Sequence, residues 1–403
     1  MSDDTEHRRA FPEGFIWGTA TAAHQIEGGN VNNDWWAWEH TEGSGCAESS
    51  GDACDSWNRW ADDVDAVAAM GLGAYRFSLE WSRIEPAEGE ISQVALGRYR
   101  ALCEALRGRG ITPVVTYHHF TTPQWVADAG GWEHPATVDA FVRYCRVVTE
   151  ALGDVAGAIC TINEPNIVAT MGYLAGVFPP GRQDIPARRA VNANFIDAHR
   201  RAVEVIRESA PGVPVGLTLS MAEYAALPGG EAKLARIRRG MEDVFLEAVG
   251  DDDFLGVQAY SRTWVDAEGQ RFEGAEGVPM LVMGYEFRPE ALEATLRRAW
   301  EVTGGRLPLW VTENGIGTDD DAQRIDYVHR ALQGVLRVID DGIDVQGYTY
   351  WSLLDNFEWA FGYAPRFGLV DVERSTFQRL PKASADWFGQ VARTNRLVAP
   401  PSL

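Results

Sequence analysis

Two glutamates stand at the ends of short apolar runs, in surroundings that set them apart from most carboxylates of the chain. Glu164 follows the run AICTIN (Ala158 to Asn163) and precedes Pro165, which biases the residue before it away from helix and so marks a passage from strand to loop. Glu313 follows PLWVT (Pro308 to Thr312) and precedes Asn314 and Gly315, a turn signal. Cleavage of a glycosidic bond needs one carboxylic acid to protonate the departing oxygen and one carboxylate across from it, facing the oxocarbenium-like carbon. Taken alone, a glutamate at a strand end is more often a solvated loop residue or a helix cap. What decides between these readings is the set of elements that would hold the two glutamates.

Those elements alternate. Eight candidate strands can be marked: Phe15 to Thr21, Ala74 to Trp81, Thr112 to Phe120, Ala158 to Asn163, Val213 to Met221, Phe254 to Ser261, Pro308 to Thr312 and Val345 to Trp351. Helical signals fill the gaps, as in Trp57 to Met70 before Gly71, Val138 to Leu152 before Gly153, and Arg324 to Ile339. There is no Pro/Gly/Ser-rich linker, low-complexity tract or fixed-period repeat. The alternation therefore predicts an α/β fold, a single (β/α)8 TIM barrel over residues 1–403 with its core at about 11–395. A doubly wound sheet would want a Gly-rich turn after the first strand, and Gly28 and Gly29 come too late and lack the spacing.

Barrel chemistry gathers where strands end and loops begin. Read in order, those positions supply Gln25, Arg76, His118, Asn163, Tyr260, Trp351, Glu358 and Trp359 around the two glutamates. Amides and carboxylates bond hydroxyls and indole faces pack on sugar C–H surfaces, so the set suits a neutral polyhydroxylated ligand.

Longer stretches carry a resemblance. TINEPN (Thr161 to Asn166) and VTENG (Val311 to Gly315) resemble the acid/base and nucleophile motifs of glycoside hydrolase family 1, the family of β-glucosidases. FPEGFIWGTATAAHQIEGG near the start, YRFSLEWSRIEP from Tyr75 and YWSLLDNFEWAFGYAPRFGLV from Tyr350 are similar to its other signatures, in the same order. The resemblance runs from about residue 11 to 390 and implies the same barrel. It implies a retaining β-glycosidase that acts on terminal non-reducing β-D-glucosyl or related neutral hexosyl residues and needs neither cofactor nor metal. Glu164 would be the acid/base, Glu313 the nucleophile, and Arg76 and Tyr260 the groups that bond the nucleophile. Asn163 would reach the sugar 2-hydroxyl, Gln25, His118, Glu358 and Trp359 would bind the non-reducing sugar, Trp351 would lie beneath its ring and Phe367 beside its O6 end. In retaining enzymes the carboxyl groups stand about 5 Å apart, so an ionised Glu313 would keep Glu164 protonated until the glycosyl ester removes that charge.

The acidic Glu358 separates this chain from family members that take 6-phosphosugars, which lack a carboxylate there. Two departures from the family pattern fall near the sugar. Gln258-Ala259-Tyr260 stands where Asn-Tyr-Tyr is frequent, and His119 stands where Trp usually follows the sugar-binding histidine. A transglycosylase would use the same two glutamates, and a silent sugar-binding barrel would need one of them altered. Histidines 24, 118 and 119 could suggest a metal cluster, but no H-x-H follows the first strand. His24 reads as a hydrogen-bonded barrel-lining histidine.

Composition narrows the partners. Lys plus Arg total 36 against 58 Asp plus Glu, a formal net charge of -22 that repels polyphosphate and anionic lipid. The expected partner is a small β-glycoside or oligosaccharide, with no nucleic acid and no membrane; oligomeric state is not readable. The start MSDDTEHRRAFPEGF lacks the apolar run of a secretory signal, which points to the cytoplasm. Five cysteines without metal spacing read as free thiols rather than a disulfide framework, with a Cys46–Cys54 bridge as the alternative.

Overall fold

The computed structural model describes residues 9–401 apart from 273, 275 and 276; the first eight residues of the acidic start lie outside the described range. Its centre is a closed parallel barrel. The strands are β1 (Ile16–Ala20), β2 (Ala74–Ser78), β3 (Thr112–His119), β4 (Ala158–Asn163), β5 (Val215–Ser220), β6 (Phe254–Gln258), β7 (Leu309–Glu313) and β8 (Val345–Trp351). Each pairs with its neighbours in chain order, and β8 closes the ring against β1 through Ile16↔Gly347 to Ala20↔Trp351. The fold expected from the alternation of elements is the one observed.

Helices cover the outside. The principal ones are α1 (Ser56–Met70), α2 (Gln93–Arg107), α3 (Ala136–Leu152), α4 (Ile185–Ser209), α5 (Glu231–Arg238), α6 (Ala291–Thr303), α7 (Asp321–Asp340) and α8 (Ala383–Thr394). Their ends follow local chemistry. Ser92 accepts from the Ala95 amide to start α2, Asp320 accepts from Ala322 and Gln323 to start α7, and left-handed Gly71 and Gly304 end α1 and α6. Strand β2 stops earlier than the apolar pattern suggests, because the Glu80 side chain accepts from the Ser82 amide and begins a helical turn at Trp81. Among the described residues no helix is long and apolar enough to cross a membrane.

Two layers of apolar side chains result. A large layer lies between strands and helices, and a small one fills the barrel floor with Ala74, Val114, Ala158, Cys160, Phe254 and Trp310. Above that floor the lumen turns polar. A further three-stranded sheet, Glu223–Ala226, Arg262–Val265 and Arg271–Phe272, rises beside the barrel mouth. All five cysteines are free, so the Cys46–Cys54 bridge does not form.

Gly315 follows β7 and passes tightly against the end of β8. A methyl group there would lie 2.0 Å from the Trp351 carbonyl oxygen, which no side-chain rotation relieves. Gly315→Ala should therefore destabilise the fold by about 2 kcal/mol, the scale of overpacking. A thermal midpoint equal to that of the parent chain would show that the backbone yields without cost.

Candidate active site

A cavity of about 240 Å³ opens where the strands end. Glu313 is the last residue of β7 and Glu164 the first after β4, and both line it. The strands do not deliver these groups by simple alternation. The β4–β5 register slips between Cys160 and Asn163, and the β6–β7 register slips between Val311 and Glu313. Such bulges re-aim side chains at barrel rims. Glu164 then takes a left-handed backbone, φ 44, and stands at the start of the helical turn opened by Pro165.

The two carboxyls sit in unlike surroundings. Arg76, on β2 and 1% exposed, donates from Nη1 to Glu313 Oε1 at 2.5 Å and from Nη2 to Asn163 Oδ1 at 2.5 Å, while its Nε donates to Thr116 Oγ1 at 3.1 Å. The Tyr260 hydroxyl donates to Glu313 Oε2 at 2.5 Å. Burial raises the pKa of Glu313, and Arg76 and Tyr260 pull it back. Burial also raises that of Glu164, the charge of Glu313 raises it further, and no cation bonds it; its Oε1 is buried with no partner in the protein. One proton shared by this pair therefore rests on Glu164.

At the other end of the cavity the polar groups are arranged around Gln25. Its Nε2 donates to Asn356 Oδ1 at 3.1 Å, to the Phe357 carbonyl at 2.8 Å and to Glu358 Oε2 at 3.1 Å, which leaves Oε1 buried and unpartnered. Burial and the charge of Glu313 push the Glu358 carboxyl up to about 8, so at neutral pH it is mostly an acid that can donate as well as accept. Trp351, Trp359 and Phe367 supply the aromatic walls, and Phe367 meets Tyr260 edge-on with ring centroids 6.0 Å apart.

The structure corrects one residue. His118 does not reach the cavity; it packs among Trp132, Phe141 and Phe195 in the helix layer, where burial lowers its pKa to about 3. His119 takes the place expected of it. Its ring lies nearly parallel to those of Trp351 and Trp359, at 5.8 and 6.2 Å, and its Nε2 is 3.2 Å from Asn163 Nδ2. The reason is a phase slip in β3. Thr116 faces the lumen beside Arg76, but Tyr117 and His118 both face the helices, so His119 returns to the inside. The next residue is then Phe120, an aromatic that lines the cavity, so the departure from the family's Trp narrows to a smaller aromatic ring.

Asn163 lies just behind the cavity surface. Its Oδ1 accepts from Arg76, from Gln258 Nε2 at 2.9 Å and from Thr218 Oγ1 at 3.1 Å, so the longer Gln258 side chain is used to brace Asn163. His24 is buried between Asn33 and Glu39. Among the described residues no group of three His, Cys, Asp or Glu is placed to hold a metal. Sequence reasoning missed the walls of the mouth: Ile167, Met171, Phe178, Met283, Tyr285 and Phe361. Only Ile167 and Met171 carried a signal, at three and seven residues beyond Glu164 on a helical turn.

The Glycosyl hydrolase family 1 model matches residues 7–251 and 250–397. The chain belongs to glycosyl hydrolase family 1. It is a glycoside hydrolase, a retaining β-glycosidase. Among curated relatives, Beta-glucosidase A of Thermotoga maritima is 34% identical over 443 residues, covering 96% of this chain and 99% of that one. Among solved structures, the β-glycosidase BGL167 superposes with a TM-score of 0.90 at 43% identity, covering 98% of this chain and 99% of its own. A Thermotoga maritima β-glucosidase in complex with deoxynojirimycin gives 0.89 at 32% identity, covering 96% and 99%.

For this family 1 glycosidase, the bond from Tyr260 favours the ionised form of Glu313. Tyr260→Phe removes it, so the pKa of Glu313 should rise and the acid limb of the kcat/KM profile should move to higher pH. An acid limb that stays in place would mean that Arg76 alone holds the charge.

Proposed function

We propose that this chain hydrolyses β-D-glucosides from their non-reducing end, with Glu313 as nucleophile and Glu164 as acid/base. The observation that carries the reading is the asymmetry of two buried carboxyls at one cavity: Glu313 is held by a guanidinium and a phenol, Glu164 by no cation and with a raised pKa. In the first step a Glu313 oxygen attacks the anomeric carbon, the bond to the leaving oxygen breaks, and that oxygen takes the proton of Glu164. The glycosyl ester carries no charge, so the pKa of Glu164 falls. It then accepts a proton from water as the water oxygen bonds the anomeric carbon and Glu313 leaves as carboxylate.

Sugar recognition follows from the buried polar atoms that the protein leaves unpartnered, Gln25 Oε1 and His119 Nδ1. Asn163 Nδ2 carries two hydrogens; one goes to His119 Nε2, and we assign the other to the 2-hydroxyl. That donation makes Nε2 the acceptor and puts the His119 proton on Nδ1, ready for a sugar oxygen. Glu358 serves the far hydroxyls, with Trp351 beneath the ring and Trp359 and Phe367 at its edges. A neutral sugar is favoured because the cavity offers no free cation: Arg76, behind the lining, is engaged by Glu313 and Asn163, and no Lys or Arg lines the cavity among the described residues. The whole chain acts as one catalytic domain. Its five free cysteines, four of them buried, fit a reducing compartment and so the cytoplasm.

Glu313→Ala should abolish hydrolysis of nitrophenyl β-D-glucoside with the fold intact, and added azide should yield the α-glucosyl azide. Turnover near the parent rate without azide would sink the assignment. Glu358→Ser should lower kcat/KM for the neutral glucoside by about 2 kcal/mol, the scale of hydrogen bonds to a charged or strongly polar group. A kcat/KM within twofold of the parent chain would place Glu358 outside sugar recognition.

A further inference from the structure

We propose that the leaving-group side of this cavity is built for an apolar aglycone, an alkyl or aryl alcohol, in preference to a second sugar. The inference rests on the assignment of Glu164 as the proton donor, which fixes where the leaving group lies. An acid that protonates the departing oxygen must touch it, so the aglycone extends over the helical turn that Glu164 begins.

The face of that turn is hydrocarbon and sulfur. Ile167 and Met171 follow Glu164 at three and seven residues, on one side of the helix, and both line the cavity half-buried. Phe178 adjoins them, held against Trp35 and Phe120 with ring centroids 4.7 and 5.9 Å away. Met283 and Tyr285 form the facing wall against Trp351 and Phe367, and Phe361 stands at the rim. Among the described residues this mouth carries no amide and no charged group apart from Glu164 itself; its polar side chains are Ser220 and Tyr285. The contrast with the sugar end, where Gln25, His119 and Glu358 converge, is complete within one cavity.

A second observation lies just outside the cavity. Of the eight large apolar side chains left exposed among the described residues, Val177, Met280, Val282 and Phe361, at 43%, 47%, 53% and 44%, belong to the segments that supply the mouth, while Val31, Val94, Ile185 and Leu380 lie elsewhere. The apolar character therefore continues outward beyond the cavity. A glucosyl leaving group would bring several hydroxyls against these walls and lose water from them without replacement bonds. An alkyl chain gains on the same walls, by about fourfold in affinity for each methylene fully removed from water. The two methionines, unbranched and polarisable, let the walls fit chains and rings of differing width.

The test compares methyl β-D-glucoside, octyl β-D-glucoside and cellobiose. All three release an alcohol that needs protonation; methanol and octanol are alike in acidity, and the glucose released from cellobiose is the more acidic, so a preference for the octyl glucoside cannot arise from leaving-group acidity. Octyl β-D-glucoside should exceed both others by about tenfold or more, mainly through KM. Met171→Asn should shrink the octyl-to-methyl ratio by about threefold or more. Cellobiose turned over as well as the octyl glucoside, or a ratio unmoved by the substitution, would overturn the proposal. Octyl and methyl 1-thio-β-D-glucosides bind without turnover and separate this inference from the glucosidase reading. Tighter binding of the octyl thioglucoside, with no hydrolysis of the methyl or octyl O-glucoside, would uphold the apolar wall and defeat the catalytic assignment, and equal Kd values would overturn the apolar wall whatever the activity.

Discussion

A guanidinium at the centre of a barrel must be met by negative charge and by oriented dipoles, or the site pays several kcal/mol of lost hydration with no return. Arg76 is met by Glu313, Asn163 and Thr116, and the bonds run from β2 to β7, β4 and β3. Much of the site depends on this arrangement. It favours the ionised form of Glu313 in a place where burial opposes ionisation, and the charge of Glu313 in turn raises the pKa of Glu164. It also takes the carbonyl end of Asn163, which turns the amide N–H2 toward His119. A single buried cation thus orders the two carboxyls, the amide and the imidazole.

Much of this was legible in the sequence. The strands Ala158–Asn163 and Val345–Trp351 agree with the structure to the residue, because a parallel barrel strand is a bounded apolar run and the reactive group follows its end. Glu164 and Glu313 stood out for the same reason, each closing such a run and each followed by a turn-forming residue. Arg76 and Tyr260 could be marked from their places on the strands, but their role beside Glu313 came from resemblance alone, since nothing in their spacing shows that they converge on Glu313 from strands far apart in the chain.

Other parts were hidden for physical reasons. His118 and His119 are adjacent and alike, and only the local slip in β3, invisible in composition, decides which one faces the lumen. The bulges in β4 and β7 are of the same kind. The protonation of Glu358 depends on burial and on a carboxylate 45 residues earlier in the chain, neither of which a motif records. Met283 and Tyr285 reach the mouth from a loop and Phe361 from a single 3-10 turn, where no periodicity announces a face.

The backbone at the rim has a cost of its own. Phe120, Glu164 and Trp359 all line the cavity and all hold left-handed conformations, with φ 68, 44 and 52, which side chains with a Cβ rarely adopt. Each such residue costs on the order of 1–3 kcal/mol and persists only because its surroundings force it. Heat tolerance and turnover are thereby set against each other at this rim: asparagine or glycine would relax the chain there and remove the group that works. Substitutions that raise the melting point without touching catalysis belong instead on the outer helices and their caps, where the chain is already in its preferred conformation.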